Sequence, residues 1–146
     1  MTRSLVVAVD PGVTTGLATV TGKDDSTFKS WQVDEAEMYQ WFDMHGQEIK
    51  HVQCEKFTIT AATIRKTVVY DSLYLIGYLR YAAYRNGFTL AFTKPADVMA
   101  PFPDVALKRA GMHTPGLGHA NDAARHLAHY MVRHGRSGSD FLPKAR

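Results

Sequence analysis

Apolar residues fall along the chain in runs that predict strands first and then alternating helices and strands. Residues 5–9, LVVAV, are rich in β-branched side chains, which is typical of a buried central strand. Residues 16–20 follow at hairpin distance, and residues 28–33 alternate enough to predict a third strand. The fourth and fifth strands are predicted at residues 51–57 and 88–92.

Three longer segments have the spacing of helices. The first, residues 35–48, begins after Asp34, a residue that caps helices well. The second, residues 66–86, stops at Gly87 and is apolar nearly all round. The last helix is predicted at residues 118–134.

The order of these elements predicts an α/β fold with a five-stranded mixed β-sheet and α-helices on both of its faces. Residues 95–118 are rich in Pro and Gly and predict one short helix at residues 105–110. We expect one domain over residues 1–135 and a loose tail at residues 136–146.

The long helix leaves two interpretations open. Leu75 and Leu79 lie on one of its sides, and Tyr70, Tyr74 and Tyr81 lie on another. Packing on the sheet uses one side only. The tyrosine side is covered either by other helices of the same domain or by a second subunit, in which case these tyrosines form the interface of a homodimer.

Composition narrows the class of protein only slightly. The chain has 146 residues, of which 45% are hydrophobic and 21% charged, as in ordinary globular domains. A single cysteine, Cys54, excludes an intrachain disulfide. Asp10 interrupts the first apolar run, so no secretory pattern forms, and no run approaches membrane-spanning length. We therefore expect a cytoplasmic protein without a membrane partner, and the net charge of +3 leans towards polyanions.

Three acidic residues occupy positions that folding alone does not explain. Asp10 ends the first strand, Glu55 interrupts the apolar fourth strand, and Asp122 lies in the last helix. Asp10 either starts a turn with Pro11-Gly12 or holds a metal ion. Neighbouring strands one and four would bring Asp10 and Glu55 together, and a divalent cation would relieve their repulsion.

The last helix separates into two sides at 100° per residue. Small and apolar residues form one side, which suits close packing on a sheet. Asp122 is either part of a solvated polar side or a metal ligand. His119, three residues earlier, either binds the metal or orients a water, and His126 and His129 are interpreted as surface histidines. The polar side contains His119, Asp122, His126, His129 and Arg133.

These pieces together resemble the RuvC-like Holliday junction resolvases of the ribonuclease H-like superfamily. The matching segments are VDPG at 9–12 with Thr15-Gly16, the lone Glu55, and HANDAA at 119–124. They span the chain to about His134. The resemblance implies a ribonuclease H-like fold and a homodimeric endonuclease that uses Mg²⁺ or Mn²⁺ to nick branched DNA.

The resemblance also implies a ligand set. Asp10 would bridge two metal ions in each active site, with Glu55 and Asp122 as further carboxylates. His119 takes a position that is often Asp in this family, and its softer imidazole favours Mn²⁺. Phe57 is the nearest match to an aromatic residue that stacks at the junction, although its spacing differs and core packing is the alternative.

A phosphodiester substrate requires positive charge around the site. The basic residues that we expect to contact DNA also have an alternative role as solvated surface residues. They are Lys56, Arg65, Lys66, Lys94, Lys108, Arg109 and Arg125.

Other functions fit parts of the same pattern. A flap or fork nuclease and an RNA–DNA hybrid nuclease would share the ligands, whereas a non-catalytic nucleic-acid-binding module would not need three buried acids. Residues 10–14, DPGVT, also look like the phosphate loop of the sugar kinase, actin and chaperone ATPases. Those proteins need two such domains, and no second phosphate loop is visible in this chain.

Overall fold

A computed structural model describes residues 3–21, 24–62 and 68–134. Arg65, Lys66 and the tail at residues 136–146 therefore lie outside the described residues. A 3-10 turn, Gly46–Glu48, follows the first helix. In chain order the strands and α-helices are β1 (Leu5–Asp10), β2 (Thr15–Thr21), β3 (Asp24–Val33), α1 (Glu35–His45), β4 (Ile49–Glu55), α2 (Val68–Asn86), β5 (Thr89–Thr93), α3 (Pro95–Met99), α4 (Asp104–Arg109) and α5 (Gly118–Arg133).

The strands form one mixed sheet in the order β3-β2-β1-β4-β5. β1 pairs antiparallel with β2 and parallel with β4, and β5 pairs parallel with β4. β1 is therefore central and fully buried, as its run of β-branched residues predicts. The predicted α/β fold with a five-stranded mixed sheet is confirmed.

Two separate cores lie on the two faces of the sheet. Successive side chains of β1 point to opposite faces, so Val7 and Val9 join one core while Val6 and Ala8 join the other. The first core is completed by α1 and α2, and the second by α3, α4 and α5. The expected placement of helices on both faces is confirmed.

Local signals position most of the elements correctly. Asp34 caps α1, because its side chain accepts from the Glu37 amide at 2.8 Å while the Glu37 side chain accepts from the Asp34 amide at 3.2 Å. The Pro- and Gly-rich segment holds two short helices rather than one. The additional helix begins at Pro95, whose fixed φ suits a first helical turn, and the sequence pattern does not predict it.

α2 buries one side and leaves its tyrosine side open. Leu75 and Leu79 are fully buried, whereas Tyr70, Tyr74 and Tyr81 are each half or more exposed. No element of the described part of the chain covers these tyrosines, so the interpretation that other helices of the domain cover them is not supported. No helix among the described residues is long and apolar enough to cross a membrane.

Candidate metal centre

Asp10 and Glu55 end two parallel, neighbouring strands. Val9 of β1 lies opposite Cys54 of β4, so the residues that follow them reach the same rim of the sheet. Asp10 is buried, at 5% exposed, and the Glu55 side chain is 23% exposed. The structure thus brings these two carboxylates together, as the strand order predicts.

The first turn of α5 is fixed beside Asp10 by two neighbouring strands. Gly16 pairs with Asp10 across β1 and β2, and a Cβ built on Gly16 would lie 1.9 Å from the carbonyl oxygen of His119. From β3, the Gln32 side-chain oxygen accepts hydrogen bonds from the amides of His119 at 3.0 Å and Ala120 at 3.4 Å. Since Leu117 provides no side-chain cap, Gln32 satisfies these exposed amides instead.

Asp10, His119 and Asp122 form a group whose ligand atoms all lie within 4.8 Å of one another. His119 Nδ1 is 3.1 Å from Asp10 Oδ2. Two carboxylates and one imidazole are hard or intermediate ligands that suit Mg²⁺ and Mn²⁺. Glu55 lies outside this group of three but shares a hydrogen bond with Asp10.

The acidic groups perturb one another strongly. Burial, followed by the hydrogen bond and the charge of Glu55, raises the pKa of Asp10 to about 9. Burial also raises the pKa of Glu55, but hydrogen bonds from His126 and Asp10 outweigh it and the net shift is downward. Burial raises the pKa of Asp122, and the Arg125 charge opposes that shift only in part. A cation would relieve this crowding, so the donor set fits a divalent metal.

The structure corrects the interpretation of Arg125 as a DNA-contacting residue. Arg125 is buried, and its guanidinium is already engaged by three protein acceptors. Its Nε donates to the Phe102 carbonyl at 2.9 Å, and its terminal nitrogens donate to Asp122 at 2.8 Å and to Asp104. Arg125 is buried because α4 and the turn at Phe102, between α3 and α4, pack against α5. Helical spacing alone does not reveal this packing.

The interpretation of His126 as a surface histidine is wrong. Its side chain is fully buried, and its Nε2 lies 3.3 Å from Glu55 Oε1. His126 is one helical turn after Asp122, so the two side chains lie on the same side of α5. The i, i+4 spacing from Asp122 was visible in the sequence, but its meaning depends on where β4 lies. A cleft of about 80 Å³ separates α3 from Glu55, Asp122, Arg125 and His126.

The other residues predicted to contact DNA differ in exposure where the structure describes them. Lys56, directly after Glu55, is exposed and held by a 2.7 Å hydrogen bond from its amide to the Thr93 carbonyl. Phe57 is half-buried, and Lys108 and Arg109 are exposed at the end of α4. A groove of about 500 Å³ runs beside the rim, and its basic lining includes Lys56, Lys94, His129, Arg133 and His134.

The sheet order, the helices on both faces and the rim of acids define a protein of the ribonuclease H-like fold class. Within that class the chain has the fold of RuvC. It matches "T. thermophilus RuvC in complex with Holliday junction substrate" with a TM-score of 0.63 and 18% identity, covering 91% of this chain and 97% of that one. It matches "Thermus thermophilus RuvC structure" with a TM-score of 0.60 and 18% identity, covering 90% and 96% of the two chains.

Comparison by sequence adds no relative. No protein-family model matches the chain, and no curated protein matches it. At 18% identity the likeness to RuvC establishes the fold, and the function has to be argued from the site.

Proposed function

We propose that this protein is a homodimeric, metal-dependent endonuclease that nicks Holliday junctions or other branched DNA. The observation that carries the proposal is the meeting of Asp10, His119 and Asp122 at one rim of the sheet, with Glu55 beside them. One structure that shares this fold, over 91% of the chain, is a RuvC in complex with a Holliday junction substrate, which supports branched DNA as the substrate class.

The four side chains have distinct roles in the proposed reaction. Asp10, the most buried of the four, would be shared between the cations, and Glu55, Asp122 and His119 would supply their other protein ligands. Bound Mg²⁺ or Mn²⁺ would supply an activated water and stabilise the leaving oxygen of the phosphodiester. The buried setting of Asp10 would restrict the direction of its carboxylate and so help to position the substrate for attack.

The DNA would be held by basic side chains around this rim. Lys56 is next to Glu55 in the chain, and Lys108 and Arg109 lie on α4, which packs against α5. Phosphates of one DNA arm would follow the groove lined by Lys94 and Arg133. Stacking of Phe57 on a junction base and phosphate contacts from residues 65–66 remain predictions.

The dimer would form through the open side of α2. Gly77 lies among Tyr70, Tyr74 and Tyr81 on this side, and a Cβ at Gly77 would meet no atom within 4 Å. Glycine inside a helix costs about 1 kcal/mol relative to alanine. Nothing described around Gly77 requires a glycine, but the close approach of a second α2 would. A symmetric dimer places two active sites on one junction, which suits paired nicks.

The test is incubation with four-way, forked, flap, linear and RNA–DNA hybrid substrates in Mg²⁺ or Mn²⁺, with the nicks mapped on each strand. We expect paired nicks near the centre of the four-way junction and little cutting of linear DNA. Preference for forks, flaps or hybrids would identify one of the related nucleases instead. Tight junction binding without cleavage in either ion would identify a non-catalytic binding module.

A further inference from the structure

We propose that His126 is a positioning residue that holds Glu55 in the orientation needed for metal binding. The inference rests on the proposed nuclease function and extends it to a residue behind the ligands. His126 is not one of the three grouped ligands and is buried from solvent, and its hydrogen bond goes to Glu55, so we expect it to act through Glu55.

The hydrogen bond to Glu55 uses only one of the two ring nitrogens of His126. An ionised Glu55 carboxylate can only accept, so His126 Nε2 donates to it over 3.3 Å. The other nitrogen, Nδ1, is buried without a hydrogen-bond partner among the described residues. An apolar side chain of similar size would avoid this unsatisfied atom. Core packing alone therefore does not account for a histidine at this position.

The contact leaves one carboxylate oxygen available. His126 occupies Oε1 of Glu55, and the carboxylate keeps a second oxygen for a cation, which would replace the hydrogen bond between Glu55 and Asp10. Arg125, the preceding residue, makes a similar contact with Asp122, because its guanidinium donates a hydrogen bond to Asp122 Oδ1 at 2.8 Å. Adjacent residues of α5 thus hold two carboxylates that border the same cleft of about 80 Å³.

Groups that hold a metal ligand in this manner typically contribute about 10–100-fold to metal affinity or activity. Glu55 is partly exposed and ends a strand, so without His126 its side chain would lose one of the hydrogen bonds that hold it and would sample more rotamers. The Glu55 side chain would then have to be ordered when the metal binds. This cost would lower the metal affinity and the cleavage rate, but not the affinity for DNA.

The experiment compares His126→Leu and His126→Gln with the wild type by Mn²⁺ calorimetry, by thermal unfolding without metal, and by cleavage of a four-way junction. We expect His126→Leu to bind Mn²⁺ about 10–100-fold more weakly and to lower kcat with KM for the junction unchanged. His126→Gln, which keeps a donor at similar reach, should recover part of both losses. The metal-free melting temperature of His126→Leu should be unchanged or higher.

The matched control is His51→Leu, which removes another buried histidine, one that contacts Gln53 and Thr89 instead of the metal centre. This variant should bind Mn²⁺ as the wild type does, even if it is less stable. Wild-type Mn²⁺ affinity and kcat in His126→Leu would overturn the role of His126 while leaving the nuclease proposal intact. A lower melting temperature without rescue by His126→Gln would also overturn it, in favour of a structural role. A wild-type protein that neither binds Mn²⁺ nor cleaves branched DNA would overturn both proposals.

Discussion

Gly16 of β2 lies directly against the carbonyl group of His119, so that even a methyl group at Gly16 would be 1.9 Å from that oxygen. The first turn of α5 rests on strand backbone at this point. Because Gly16 is also the partner of Asp10 in the sheet, the same contact determines how near His119 and Asp122 come to Asp10.

Gly16→Ala should therefore displace the start of α5. We expect a loss of about 1–3 kcal/mol in the free energy of unfolding, typical of overpacking, together with weaker Mn²⁺ binding. Urea unfolding and Mn²⁺ calorimetry measure the two effects. Gly118→Ala is the matched control, since a Cβ at Gly118 meets nothing within 4 Å. Equal Mn²⁺ affinity in the two variants would contradict this account of the contact.

Asp10→Asn should abolish cleavage while retaining the binding of junction DNA, because the proposed DNA contacts are basic side chains outside the acid cluster. It should also raise the melting temperature of the metal-free protein, since burial and the charge of Glu55 disfavour an ionised carboxylate at this position. Added Mn²⁺ should stabilise the wild type and not this variant. Asp43→Asn on the exposed side of α1 is the control, and undiminished cutting by Asp10→Asn would contradict the site.

His119→Asp should preserve activity and shift the preference towards Mg²⁺, because a carboxylate is a harder ligand than an imidazole. The measurement is the ratio of cleavage rates in Mg²⁺ and Mn²⁺ for variant and wild type. Complete loss of activity in both ions would show that His119 has another role, such as orienting a water.

Tyr74→Glu should convert the proposed dimer to monomers, since it places a charge in the middle of the exposed tyrosine side of α2. Light scattering gives the mass of each species. Met44→Glu on α1 makes the same kind of change at another exposed apolar residue and should leave the mass unchanged. If Tyr74→Glu also keeps the wild-type mass, the α2 interface is excluded.

Stability should fall in mild acid because of His51. Burial lowers the pKa of His51, so around pH 6 the unfolded chain binds more protons at this residue than the folded protein. The stabilisation that neutral His51 provides is present above about pH 6.5, the pKa of histidine in the unfolded chain. It is lost as the pH falls towards the lower pKa of His51 in the folded protein. His51→Phe, which can still stack on Tyr130, should show a smaller decrease in urea stability between pH 8 and pH 5. His129, whose pKa burial also lowers, is present in both proteins, so the difference isolates His51.

The sequence by itself determined most of the helices and strands and the positions of the acidic residues. Strand β1 is recognisable because β-branched residues fill it, and α1 because Asp34, a good capping residue, stands directly before it. Asp10 and Glu55 are conspicuous because each is a charge in or at the end of an apolar strand. These signals are local, since periodicity and capping depend on residues only a few positions apart.

Only the tertiary structure decided what lies against each side of α5 and α2. Helical spacing placed His126 on a polar side with Asp122, yet β4 covers that side, so His126 is buried against Glu55. Arg125 is likewise enclosed by residues more than 20 positions away in the chain. Strand register and helix packing bring together residues that are distant in sequence. A helical projection shows on which side of a helix each residue lies, but not which neighbouring element packs against that side.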